Sequence, residues 1–271
     1  LFVFTFQRGV GGAAEATVIS QFVSGVGIAV YTQKYFPELR VSLKEICFRG
    51  KMLNEIAGFS FLTCMQQSIM NFGILMVQGL VNSFGPVVMA AFAAAVKIDS
   101  FAYMPVQDFG NAFSTFIAQN YGAKKFERIQ KGIKSAVMTS VLFCAVISSA
   151  VFIFAEPLMK IFVSGTEKEI ISVGVEYLRI EGSFYFGIGI LFLLYGLYRA
   201  VKLPGMSVVL TILSLGTRVA LAYGLSAIPM IGVKGIWAAV PIGWILADAV
   251  GVIYYIKNKG KIEKALGGEV C

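Results

Sequence analysis

The chain has 271 residues, 57% of them hydrophobic and 14% charged, with a formal net charge of +8. Its mean hydropathy of +0.78 lies outside the soluble globular range and inside that of membrane proteins. The absence of histidine excludes Ser-His-Asp and Cys-His nucleophilic sites and His-ligated zinc.

A nucleic-acid binder gathers its basic residues on a soluble face. Here they sit in the gaps between apolar runs, the pattern that membrane topology leaves. Crossing a bilayer takes about 20 apolar residues. Candidate spans run in order at about Gly11–Val30, Ile56–Phe84, Val87–Tyr121, Ser135–Ala155, Val173–Ala200, Met206–Ala227 and Val233–Ile256. Lipid leaves only helices or closed barrels, and these runs are too long for barrel strands. The expected fold class is therefore all-α, a polytopic membrane helix bundle of about seven transmembrane helices.

The loops alternate in charge. Lys34, Arg40, Lys44, Arg49 and Lys51 follow the first span, whereas Asn82 to Pro86 after the second carry no charge. Lys124, Lys125, Arg128, Lys131 and Lys134 follow the third, and a mixed segment around Lys160, Glu167 and Lys168 follows the fourth. Arg199 and Lys202 follow the fifth, Lys234 alone the sixth, and Lys257, Lys259, Lys261 and Lys264 the seventh. The positive-inside rule then places the C-terminus in the cytoplasm of a multi-pass protein of the cell membrane. Residues 37–51 interleave Leu39, Val41, Leu43, Ile46 and Phe48 with basic residues. That suits a short amphipathic helix at the cytoplasmic interface. Thr166 and Glu169 read as a capping box opening a helix that runs through Tyr177 and Glu181 into the fifth span.

Cys64 and Cys144 fall in apolar runs and read as small buried residues. Ionisable groups at bilayer depth are more informative. Each costs roughly 2.5–3.5 kcal/mol on insertion scales, so they face the bundle interior or a cavity. The third span carries Lys97, Asp99 and Asp108, with Pro105 predicting a kink and Gly122 a stop. Lys97, Asp108, Asn111 and Thr115 share one helical face. Asp99 points elsewhere with Tyr103, and the spacing lets only one of these faces meet a central cavity. The second span presents a stripe of Thr63, Gln67, Asn71, Gln78 and Asn82. The fifth presents Glu181, Tyr185, Phe192, Tyr195 and Arg199. Arg218 and Asp248 read as a packing ion pair or a membrane-edge anchor. Candidates for a substrate or cation pathway are Gln67, Asn71, Asp99, Asp108, Glu181, Tyr185 and Tyr195, with aromatic rings available to stack on a cation. No catalytic residue, metal ligand or cofactor is predicted.

Several motifs resemble one family. Gly9, Val10, Gly12, Ala13 and Ala14 leading to Ala16–Gln21 resemble the sixth helix of the MATE (multidrug and toxic compound extrusion) exporters. Gln119-Asn120-Tyr121-Gly122-Ala123-Lys124 resembles the end of their eighth helix, and Gly196-Leu197-Tyr198-Arg199 the end of their tenth. Arg218 near Ala222-Tyr223 and the run Gly232–Trp237 resemble the eleventh and twelfth. The resemblance implies that 1–33 is the last helix of an incomplete N-terminal lobe and 34–55 the inter-lobe linker. It makes 56–256 a six-helix C-terminal lobe and 257–271 a basic cytoplasmic tail.

It also implies export of cationic amphipathic compounds, coupled to H⁺ or Na⁺, by alternating access between two lobes. The partners would be the bilayer, those compounds and the missing N-terminal lobe. The sequence departs from the sodium-coupled branch. Gln66 and Gln67 stand near that branch's seventh-helix glutamate, and Phe186-Gly187-Ile188-Gly189 replaces the region of its tenth-helix aspartate. A lipid-linked oligosaccharide flippase of the same superfamily ranks second, because it calls for more cations in the cavity. A membrane-embedded lipid enzyme ranks third, because no nucleophile-base pair or acidic cluster is visible.

Overall fold

The computed structural model describes residues 8–37 and 50–265. Among them are eight α-helices and no strands: α1 (Gly9–Tyr35), α2 (Gly50–Asn82), α3 (Pro86–Gly122), α4 (Phe126–Phe162), α5 (Lys168–Gly182), α6 (Tyr185–Ala200), α7 (Pro204–Ser226) and α8 (Val233–Ala265). The chain divides into two compact units, Leu1–Glu55 and Ile56–Cys271. The first contains α1, a span-length helix whose apolar side chains are exposed all round. Near its start Arg8 donates to both oxygens of Glu15 at 2.7 and 2.6 Å. The amphipathic helix expected within 37–51 lies almost wholly outside the described residues.

The second unit is built on α6. Its sequence is apolar on every side, and nearly all of it is buried, as such a helix must be. It packs against α3, α4, α7 and α8, while α5 packs on α3, α4 and α8. Two close approaches set this packing. A Cβ on Gly196 of α6 would lie 2.7 Å from the Gly110 carbonyl oxygen of α3, and one on Gly243 of α8 would lie 2.5 Å from the Ser214 carbonyl oxygen of α7. Small residues let helix backbones meet where lipid supplies no hydrophobic drive for association.

Helix ends follow local chemistry. Pro86 and Pro204 open α3 and α7, where a missing N–H costs nothing. The α3–α4 turn reverses through Lys124 at φ 54°, with the Lys125 N–H donating to the Asn120 carbonyl at 2.9 Å. Lys202 plays the same part before α7 at φ 61°, with the Leu203 N–H on the Tyr198 carbonyl at 2.8 Å.

Five helices are long and apolar enough to span a membrane, and α5 with α6 makes a sixth span. The exception to the expected seven is α2. It is long enough, but Gln66, Gln67, Asn71, Gln78 and Asn82 lower its hydropathy. The fifth span is not continuous as expected. It breaks at Ser183–Phe184 and bends by 51°. The expected capping box does not form either. Glu167 takes the N-cap position without a side-chain bond, and the Thr166 hydroxyl pairs with that of Ser164 at 3.0 Å.

The helix α3 continues through Pro105 without a break. A non-helical position lies in α4, at Phe154 (φ −98°, ψ 16°), three residues before Pro157, where the proline ring crowds the preceding turn. The expected basic tail begins as helix, since α8 continues through Lys257 to Ala265. Cys144 is buried, but Cys64 is exposed on α2, contrary to expectation.

An added methyl at Gly243 must push α7 from α8. Gly243→Ala is expected to cost about 1–3 kcal/mol and lower the thermal midpoint of the detergent-solubilised protein. Gly216→Ala, whose methyl meets nothing within 4 Å, should leave the midpoint level or raise it.

Candidate functional site

The largest group of polar side chains inside the second unit converges on one cavity of about 480 Å³. Its lining comes from α2, α3, α5, α6, α7 and α8. Met70, Ile74 and Gln78 of α2 line one wall at steps of four, and the side chains of Phe92, Tyr103, Phe192, Tyr195 and Trp244 make much of the others. Asp99, Glu181, Lys97 and Arg218 bring the charges.

Asp99 is 9% exposed and held from two helices. The Tyr177 hydroxyl of α5 donates to its Oδ2 at 2.7 Å, and the Tyr185 hydroxyl of α6 donates to its Oδ1. Tyr177 is itself fixed by an aromatic wedge. Its ring stands edge-on to Trp237 at 4.9 Å and to Phe92 at 5.6 Å, and Phe92 lies nearly parallel to Trp237. Rings in these offset and T-shaped arrangements gain beyond their buried area. The wedge therefore decides where the Tyr177 hydroxyl points, and so which way the carboxylate faces.

Glu181 lies one turn beyond Tyr177, 6% exposed, with its Oε2 buried and without a hydrogen-bond partner. Arg218 lines the same cavity with its Nε buried and unpartnered. Among the described residues no ion pair joins Arg218 to either carboxyl group, nor to Asp248, so the expected Arg218–Asp248 pair is not formed. Two buried carboxyl groups, aromatic walls and a nearby guanidinium can hold an organic cation, a proton or a small hard cation. Among the described residues no group of three or more His, Cys, Asp or Glu side chains could hold a metal ion.

Four of the candidates, Asp99, Glu181, Tyr185 and Tyr195, fall at this cavity or bond to it. Gln67, Asn71 and Asp108 do not. All three are exposed and outside the cavity wall. Of the amide stripe of α2 only Gln78 lines the cavity. Asn111, on the Asp108 face, accepts from Arg199 at 3.1 Å instead. Lys97 and Asp99 both line this cavity, which lies within the second unit. Lys97 is exposed, and its long stem lets it reach the cavity lining. Phe92 and Trp237 were missed as parts of the site. Their sequence signal is that of ordinary core. Tyr177, four residues before Glu181, was legible as sharing its face.

Hydrogen bonds to a charged group contribute about 1.5–3 kcal/mol. Tyr177→Phe and Asp99→Asn should therefore be non-additive in thermal unfolding, with an interaction energy of about 1–2 kcal/mol. Tyr198→Phe, whose hydroxyl bonds the Gly251 carbonyl at 2.6 Å, should be additive with Asp99→Asn. Equal additivity for both pairs would show that the tyrosine bond does not fix Asp99.

Comparison with known proteins agrees with this architecture. Probable multidrug resistance protein NorM of Thermotoga maritima is 25% identical over 93% of the chain and 54% of its own length. Probable multidrug resistance protein YpnP of Bacillus subtilis is 26% identical over 97% of the chain and 58% of its own length. The chain thus spans little more than half of the curated relatives it matches. The solved outward-facing structure of a multidrug resistance MATE family transporter of the MOP superfamily superimposes with a TM-score of 0.87 at 20% identity. That match covers 97% of this chain and 59% of that one, and it shows a shared fold. The MatE family model matches residues 60–224, from α2 through α7, which include all of the cavity lining except Trp244, and the chain belongs to that family of membrane transporters.

Proposed function

We propose that this chain forms the C-terminal lobe, with the preceding helix, of a cation-coupled antiporter that exports cationic amphipathic compounds by alternating access. One observation carries this reading: Asp99 and Glu181 face one aromatic-walled cavity at bilayer depth. Carboxyl groups there are costly unless they bind something, and proton relays and cation paths are the usual reason for them. A substrate ammonium or a coupling ion, H⁺ or Na⁺, neutralises the same oxygens. Binding of one therefore favours release of the other. Aromatic side chains such as Phe192, Tyr195 and Trp244 offer faces for a flat cationic drug.

The names of the relatives, which speak of multidrug resistance, agree with this reading. A pyrophosphate-carrying lipid fits less well, because Lys97 and Arg218 share the cavity with two acids. In this reading the α3–α4 turn, with Lys124, Lys125 and Arg128, and the end of α8 face the cytoplasm. The second lobe that alternating access needs would be supplied by the N-terminal half of the protein.

The test is ethidium efflux from cells that lack their own drug pumps and express the complete protein. Asp99→Asn with Glu181→Gln should cut the efflux rate by about tenfold or more, the loss of one charged hydrogen bond or more at the site. Efflux that is unchanged in the double variant, at equal expression, would remove these residues from coupling and binding.

A further inference from the structure

A groove of about 800 Å³ lies at the end of α4 farthest from the α3–α4 turn. The end of α4, the α4–α5 turn, α5 and the start of α8 line it. Its level in the membrane follows from three features. The apolar run of α4 that the sequence marks as a span ends at Ala155, and Glu156 and Lys160 on the groove wall come just after it. Lys234 stands at the start of the span Val233–Asn258 of α8. Lys234 pairs with Glu176 of α5 at 2.5 Å, which brings the middle of α5 to the same edge. The groove therefore opens where hydrocarbon gives way to headgroups, on the membrane face opposite Lys124 and Lys125.

The acids of the groove are already engaged. Glu156 takes Lys160 at 2.6 Å, and Glu176 takes Lys234. Lys168 at the rim is flanked in sequence by Glu167 and Glu169. Arg179 is different. Among the described residues it forms no ion pair, and its guanidinium lies over the Phe152 ring at 5.5 Å. The Ser183 hydroxyl reaches Arg179 only at its backbone carbonyl. A guanidinium held against a ring keeps its N–H fork for phosphate oxygens. Glu176, three residues before Arg179, puts the Lys234 ammonium one turn away, and that ammonium has three donors of which one carboxylate uses only part.

Toward the bilayer the wall turns apolar. Phe152, Glu156 and Lys160 recur at steps of four on one face of α4, and Phe152 and its neighbour Ile153 are exposed. A cation with exposed hydrocarbon directly below it fits a phospholipid, whereas a soluble anion has no use for the apolar part. Arg179 is two residues from both Tyr177 and Glu181, so it points to the other side of α5 from the main cavity.

We propose that this groove holds an anionic phospholipid, with Arg179 and Lys234 on its phosphodiester and an acyl chain along Phe152 and Ile153. In the topology proposed above the lipid belongs to the outer leaflet. One cation in excess of the acids favours an anionic headgroup over a zwitterionic one. The groove and the export cavity lie on opposite sides of α5, and the test below measures no efflux. Its failure and the failure of the export reading are therefore separable.

Phe152→Trp places a probe in the groove and keeps a ring under Arg179. The complete protein carrying it, in detergent, would be titrated with phosphatidylglycerol or phosphatidylcholine brominated on the acyl chains. The same titration of the protein without the probe subtracts quenching of Trp237 and Trp244. The probe should be quenched at a roughly fivefold lower mole fraction of phosphatidylglycerol than of phosphatidylcholine, the effect of one cation at the membrane surface. Arg179→Gln should abolish that preference and Arg179→Lys should keep part of it. Lys124→Gln with Lys125→Gln, on the opposite membrane face, should leave it intact. If Phe152→Trp does not fold, Ile153→Trp carries the probe. Equal quenching by the two lipids overturns the proposal, as does a preference that survives Arg179→Gln. So does a preference abolished by inorganic phosphate replacing chloride at equal ionic strength, which would make the groove a site for soluble anions.

Discussion

A carboxylate is costly at bilayer depth, and the arrangement of the second unit around Asp99 follows from that constraint. No cation touches Asp99. It is held instead by two tyrosine hydroxyls that reach it from different helices, Tyr177 on α5 and Tyr185 on α6. Both donors have to arrive from the side of α3 that carries Asp99. In a straight helix Tyr177 and Tyr185, eight residues apart, would point about 80° away from each other. The break at Ser183–Phe184 and the 51° bend let each half of the span take its own angle to α3.

The bend in turn depends on packing. α6 is enclosed by four other helices, and its glycines bring it close to α3 and α8. With Gly196 against the Gly110 carbonyl, there is no slack for α6 to roll, so Tyr185, Phe192 and Tyr195 keep their directions. α5 is held differently, by Tyr177 standing edge-on against the stacked rings of Phe92 and Trp237. The site thus rests on one rigid helix and one aromatic wedge. α2 contributes a wall that is more exposed.

Much of this was legible in the sequence for a simple reason. Hydrophobic runs long enough to cross a bilayer have few alternative folds, and a charged residue inside one stands out. Asp99 and Glu181 could be picked from the chain on that ground, and the motifs around Asn120, Arg199 and Arg218 pointed to the family. Asp108, Gln67 and Asn71 were picked by the same rule and lie outside the cavity. The rule detects polar groups that must avoid lipid, but it does not say which neighbour they avoid it with. Phe92 and Trp237 show the converse. Their task is to aim Tyr177, and an aromatic residue carries no mark in sequence that separates aiming from filling.

The sequence by itself determined the all-helical membrane class, the order and approximate extent of the helices, and the residues expensive enough in lipid to need a partner. These follow from composition and from periodicity within single segments. Tertiary structure alone decided that the fifth span is two helices, that Asp99 answers to tyrosines and not to Lys97, and that Asp248 stands apart from Arg218. Each depends on the angle and register between helices far apart in the chain. Those are set by where glycines let backbones touch and where large rings wedge them apart, which no single segment encodes.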